Sequence, residues 1–290
     1  MTTYLDPKYD LTFKRVFAEH KNLCISLINS LLMFESEQRV VEIEYQTNEL
    51  IPELPILKNS IVDVRCKDKA GRQFIVKIMQ IHWTPDYKNW VLLNASKAYV
   101  VQLDKAKEVN LLQPVYAINL VNKNFETSPE MANEYYHHYK IVNIKHTDKQ
   151  IKGLEFVFIE LPKFRPSNRT DRRLHELWLR FLTEIDEHTQ EVPEELLAEA
   201  DIREAISYMR EAAFSKAEKL AYDQYKIDVI TARSIFVSAE EAEEKGREKG
   251  KAEGKAEEKL EIAKNLKTLG IPFDQISKAT NLTKEEIERV

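Results

Sequence analysis

The sequence predicts an α/β fold, a mixed β-sheet core with flanking helices, followed by a helical C-terminal extension. Two observations carry this. Before Pro193, stretches of apolar/polar alternation interleave with stretches of three- and four-residue apolar steps, in the order helix, helix, strand, hairpin, helix, strand, strand, helix. After Pro193 every apolar pattern is helical. The 290 residues, 43% of them hydrophobic, suffice for one large domain with an appendage.

Residues 10–33 read as two short helices, the first carried by Leu11, Val16 and Phe17 and the second by Leu23, Leu27 and Leu31. Residues 40–45 alternate as a strand does, with Val41, Ile43 and Tyr45 on one face and Glu42 and Glu44 on the other. Residues 60–66 and 72–82 predict two more strands. They are joined by 67–71, whose closing Gly71 suits a hairpin loop with a positive φ. Residues 86–106 carry Tyr87, Trp90, Val91, Asn94, Ala98 and Val101 at helical steps. Strands are expected at 115–121 and at 156–161, where a continuous apolar run suits a strand covered on both faces. A helix over 171–188 exposes Arg172, Arg173 and Arg180 and buries Leu174, Leu177, Trp178 and Phe181.

Residues 1–190 thus form the α/β domain and 191–238 a helical extension, whose apolar seam is Ile202, Ile206, Met209, Ala213 and Leu220. Residues 239–259 are almost wholly Glu, Lys, Ala and Gly, with Gly246, Gly250 and Gly254 at four-residue steps. Each glycine costs a helix about 1 kcal/mol relative to alanine. The segment therefore reads as a charged linker or a marginal solvated helix, the linker being favoured. Residues 260–290 predict a small helical, helix-turn-helix-like tail, closed by Gly270, resumed after Pro272, and restarted by Thr283 with Glu286 three residues later.

A net charge of −5 and a pI near 5.9 give no global pull towards phosphate, so nucleic-acid binding requires a local basic surface. Cys24 and Cys66 lack ligand spacing and read as buried thiols. The N-terminal residues carry no signal-peptide pattern and no apolar stretch is long enough to cross a bilayer, so the expectation is a cytoplasmic protein with no membrane partner. Adjacent His137 and His138 diverge in any regular structure and read as surface residues. Neither a nucleophile elbow nor a Gly-rich phosphate loop is present.

A set of short motifs stands out in order: Asp6-Pro7, Asp10 and Thr12-Phe13-Lys14; Ser60-Ile61-Val62-Asp63-Val64; Gly71-Arg72-Gln73-Phe74-Ile75-Val76 with Met79-Gln80; Asn94-Ala95-Ser96-Lys97-Ala98-Tyr99; Pro114-Val115-Tyr116; and Glu160-Leu161-Pro162-Lys163-Phe164. Together they resemble the PD-(D/E)XK nuclease family transposases, the recombination-promoting nucleases. The resemblance implies a restriction-endonuclease-like fold and a Mg²⁺- or Mn²⁺-dependent endonuclease acting on double-stranded DNA. Such chemistry needs a hard divalent ion held by converging carboxylates.

Asp63, between Val62 and Val64, is by pattern alone either a ligand or a strand residue reaching water, and the resemblance favours the ligand. On the next strand the family carries a Glu, one residue, then a Gln. Counted forward from Phe74-Ile75-Val76, the Glu place holds Lys77; counted back from Gln80, it holds Ile78. Neither is a carboxylate, and an ammonium offers a cation no lone pair. The strand also has one residue too many, which a β-bulge near Lys77–Ile78 would absorb, returning Gln80 to the site. Trp90 stands where the family commonly carries an Arg and is expected to pack on the sheet. Glu42, Glu44 and Asp10 are the acids available to rescue a metal site. Otherwise Lys77 pairs with Asp63 in the ion's place. The basic residues Lys163, Arg165, Arg169, Arg172 and Arg173 form the candidate phosphate-contacting surface. The sequence therefore leaves three readings: an endonuclease with an unconventional second ligand, an impaired member that still binds DNA or self-associates into a homo-oligomer, and an interaction module.

Overall fold

The computed structural model describes residues 3–46, 61–79, 86–104, 112–166 and 173–289. Helices α1 (Asp10–Phe17) and α2 (Lys21–Leu32) open the chain, with Phe13, Val16, Phe17, Leu23, Leu27 and Leu31 fully buried. The Thr12 hydroxyl donates to the Asp6 carbonyl at 2.5 Å, tying the start of α1 to the preceding turn. Six strands follow: β1 (Ile43–Tyr45), β2 (Ile61–Asp68), β3 (Gln73–Met79), β4 (Val115–Val121), β5 (Tyr136–Asn143) and β6 (His146–Glu160). Their order in the sheet is β1-β2-β3-β4-β6-β5. β2 is antiparallel to both β1 and β3, β4 is parallel to β3 and β6, and β5 is antiparallel to β6. A parallel neighbour requires a crossover. Helix α3 (Asp86–Val100) supplies it between β3 and β4.

Alternation divides the sheet's contacts into two cores. Val64, Cys66, Phe74, Val76, Ile78, Tyr116, Ile118 and Leu120 join α1, α2, α4 (Arg173–Glu184) and α6 (Ala200–Met209) in the larger one. Ile75, Val115, Ala117, Val121 and Phe158 meet Tyr87, Val91, Ala95 and Ala98 of α3 in the smaller one. The β2–β3 hairpin closes as its last glycine predicts. Gly71 has φ +84° and donates its N–H to Asp68 O at 3.0 Å, while the Asp68 carboxylate takes Arg72 N at 2.9 Å and Arg72 Nε at 2.7 Å. Cys24 and Cys66 are free and buried; a hydrogen bond with Cys66 and burial together push the Cys24 thiol up.

Several expectations change. The first strand is only three residues long, and Val41 is 80% exposed instead of sharing the buried face of Ile43. A whole strand, β5, precedes the last strand, and β6 begins ten residues before 156. The helix expected over 86–106 gives way to a 3₁₀ turn at Val101–Asp104, and residues 105–106 lie outside the described residues. The apolar seam after residue 200 is interrupted. Ala213 lies in a 3₁₀ turn between α6 and α7 (Lys216–Thr268), and Leu220 is 72% exposed. α5 (Glu194–Ala198) precedes α6 and buries Leu196.

The chain divides into two compact units, Met1–Ala232 and Arg233–Val290, so the helices after residue 190 belong to the first body up to Ala232. Of the two alternatives for residues 239–259, the structure has helix: α7 passes through them, and a methyl group at Gly246, Gly250 or Gly254 would meet open space. Within the second unit, Ala263 of α7, Ile276 of α8 (Phe273–Thr280) and Ile287 of α9 (Lys284–Glu288) form a small core. Gly270 (φ +75°) ends α7's last turn, and Thr283 and Glu286 make the expected capping box.

Candidate active site

The residues of interest on β2 and β3 fall beside each other. β2 and β3 pair residue for residue, and Asp63 is the register partner of Lys77. Register partners in an antiparallel ladder share a face. Asp63 enters here by its backbone place alone. Lys77 lies on the α3 side and is only 4% exposed, its Nζ 4.0 Å from the centre of the Trp90 ring. Trp90 therefore packs on the sheet through a cation–π contact, as expected. From Gln73 to Met79 the strand also pairs in unbroken step with β4, so the bulge expected near Lys77–Ile78 does not occur there. Ile78 is fully buried in the larger core, on the opposite face from Lys77. Gln80 lies outside the described residues.

Beside Lys77 the parallel neighbour in β4 is Asn119, 1% exposed. Its Oδ1 accepts from the Tyr87 hydroxyl at 3.1 Å, and its Nδ2 donates to the carbonyls of Ala117 and Val157 at 3.2 and 3.3 Å. One turn beyond Trp90 on α3, Asn94 donates to Trp90 O at 3.0 Å, while its buried Oδ1 has no hydrogen-bond partner. Asn119 is a site residue that pattern reading missed. The signal was a single amide in an otherwise apolar seven-residue strand, which fits a buried polar network better than a core position.

The acids named as possible rescuers are placed elsewhere. Glu44 pairs with Lys67 at 2.9 Å and stands opposite it in the ladder, four residues and so about 13 Å along β2 from Asp63. Glu42 pairs with Lys69, and Asp10 with Lys14 at 2.7 Å on α1. Among the described residues, no three His, Cys, Asp or Glu side chains cluster to hold a metal ion. Mg²⁺ and Mn²⁺ take hard, preferably anionic oxygen donors. The described groups around Lys77 are an ammonium, an indole, two amides and a phenol, and they do not fit such an ion.

The basic surface is also redistributed. The Lys163 side chain is 8% exposed, and its amino group donates to Glu160 Oε1 (2.8 Å), Glu126 O (2.6 Å) and Met131 O (3.2 Å). It therefore serves a buried knot, and Arg165 and Arg173 alone among the described members of that set are exposed. Arg169 and Arg172 lie outside the described residues. His137 belongs to the same knot, correcting its reading as a surface residue: it is 4% exposed, with Nε2 2.8 Å from Glu160 Oε1. His138 points the other way and meets Glu155 at 2.8 Å.

A family model for the PD-(D/E)XK nuclease family transposases matches residues 7–232, ending where the first compact unit ends. Comparison with curated proteins and with solved structures yields no match. Among the described residues, no helix is long and apolar enough to cross a membrane.

Proposed function

Since the chain belongs to the PD-(D/E)XK nuclease family transposases, we propose that it engages double-stranded DNA through a nuclease-type domain whose metal-dependent cleavage is impaired. The carrying observation is the register pair Asp63 and Lys77, with Lys77 buried; counted forward from Phe74-Ile75-Val76, the resemblance puts the family's Glu at that place. Magnitudes support an ion pair there. Desolvating an ammonium costs several kcal/mol. A cation–π contact returns about 0.5–2 kcal/mol. The Trp90 ring offsets only part of that cost, and a carboxylate on its register partner Asp63 would offset more. Asp63 so engaged is lost as a metal ligand. A Mg²⁺ or Mn²⁺ centre, the basis of DNA cutting and of any recombination that follows from it, is then weakened on both strands of the hairpin. What remains is a DNA-binding or partner-binding role.

Nicking of supercoiled plasmid across a Mg²⁺ and Mn²⁺ series tests this. The wild-type chain leaves plasmid intact. The variant Lys77→Glu with Ile78 deleted restores Glu-x-Gln spacing and nicks it. Because β3 runs straight, Lys77→Glu with Met79→Gln reaches the same spacing without a deletion and serves as a second repair. Metal-dependent nicking by the wild type that disappears in Asp63→Ala overturns the proposal. That outcome favours the reading of an active endonuclease with an unconventional ligand.

A further inference from the structure

Beyond β4 the sheet continues as two strands only. β6 pairs with β4 over 154–160, whereas its ladder with β5 runs on to Asn143 and His146. Among the described residues, 141–152 are therefore a ribbon without a third strand, and every side chain from 140 to 152 is exposed. Lys145, Lys149 and Lys152 against Asp148 give residues 141–152 a net charge of 3 − 1 = +2 with His146 neutral, in a chain of net charge −5; Lys149 pairs with Asp148, and Lys140, just outside, pairs with Glu155. It is the local basic surface that an acidic chain needs in order to meet phosphate.

The ribbon's tip is a hydrogen-bonded turn that carries one exposed apolar side chain. Asn143 Oδ1 accepts from Lys145 N at 2.9 Å and His146 N at 3.2 Å, which fixes the turn. Ile144, inside that turn, is 90% exposed, and Ile151 on the shaft is 71% exposed. Folding alone does not account for isoleucines held in water on an edge ribbon, where natural sheets favour charge or proline. Register shifts at Lys140/Ile141 and Val142/Asn143 add twist. Two strands about 4.8 Å apart, reaching about 10 Å over the three β5 residues Ile141–Asn143, fit the roughly 12 Å major groove, which admits a β-ribbon.

We propose that the β5–β6 ribbon is the arm by which this protein grips a DNA duplex, its lysines on the phosphates and Ile144 against the groove. The proposal rests on the DNA reading above and names the surface that serves it.

Fluorescence anisotropy of the full-length protein with a 20–30 base-pair duplex, from about 50 to 300 mM salt, tests it. In Lys145→Gln/Lys149→Gln/Lys152→Gln, affinity falls at least about tenfold near 100 mM salt and the slope of log K against log salt shrinks by about 2–3. All three residues are exposed, so an unchanged circular-dichroism melt certifies the fold. Arg165→Ala/Arg173→Ala, on the surface the sequence first suggested, gives a smaller loss. If the wild type binds duplex and the triple variant matches it in affinity and slope, the arm falls and the DNA reading stands. If the wild type binds no duplex at 50 mM salt, both fall. A triple variant that changes sedimentation mass but keeps its duplex affinity makes the ribbon a contact between copies and also overturns the proposal.

Discussion

The two hairpins of this sheet put similar residues to different use. In β2–β3 both strands have neighbours, Phe74 is fully buried and stacked on Tyr116 with centroids 5.3 Å apart, and even a lysine is driven inside against Trp90. In β5–β6, His137 and Glu160 are buried and Lys163 reaches in to join them, yet a few residues on isoleucines stand in water. A side chain in the middle of a sheet is committed to the fold, so an alteration at a site there alters chemistry and stability together. A side chain on a two-stranded edge is free of that duty, and its composition reports on what it meets.

Stability measurements separate these terms most strongly at the apolar positions. Phe74→Ala removes a fully buried ring and lowers unfolding free energy by about 3–5 kcal/mol. Ile151→Ala, 71% exposed, stays within about 0.5 kcal/mol of wild type. Urea denaturation of both variants checks the pair. Near-equal losses would mean that the ribbon is covered in solution, by its own chain or by a second copy.

The turns give the next, smaller contrast. Gly71 has φ +84°, and a Cβ there would come within 3.0 Å of Gln113 Cγ. Gly71→Ala should cost about 1–2 kcal/mol, mostly as left-handed backbone strain with the flexible Gln113 yielding. Lys145→Ala in the other turn should cost under about 0.5 kcal/mol, because the Asn143 cap uses Lys145's backbone and not its side chain. Thermal melts resolve the difference, and a neutral Gly71→Ala would show that the loop relaxes out of its positive φ.

These contrasts also account for what could be read from the sequence. β2, β3, β4 and the buried half of β6 were legible because burial imposes a pattern: alternation around Asp63, an apolar run at Phe156–Ile159, a late glycine at the turn. β5 was not, because Tyr136–Asn143 is exposed along most of its length and no core disciplines its sequence. Lys77 itself was legible, since it concerns residue identity. Its placement was not. Whether an extra residue bulges depends on ladder register, and β4's Asn119 joins Lys77 only through the parallel pairing. His137 and Lys163 were misread for a related reason. Each is polar, and only the fold shows that Glu160 brings them together in the interior. In α7 the three glycines argued against helix locally, yet the helix continues through them.

The smallest expected effect lies at the root of the ribbon. Glu155 stands opposite Lys140 in the ladder and accepts from His138 at 2.8 Å. Burial pushes its carboxyl up, but the His138 hydrogen bond and the Lys140 charge outweigh this and hold it below the usual carboxylate range. A carboxyl whose pKa is lower folded than unfolded contributes stability above the unfolded value, near 4.3, and that contribution is lost as pH falls through the folded value. Acidification below about pH 4 should therefore loosen this root, and Glu155→Gln should lose less stability than wild type between pH 7 and pH 3. Hydrogen exchange locates the effect. Amides of Leu154–Phe156 should gain exchange on acidification in the wild type and little in the variant, while those of β2 and β3 respond alike in both. Equal acid sensitivity of wild type and Glu155→Gln at the root would mean that the Glu160 knot alone anchors the ribbon, and that Lys140 is free to serve phosphate with the other lysines.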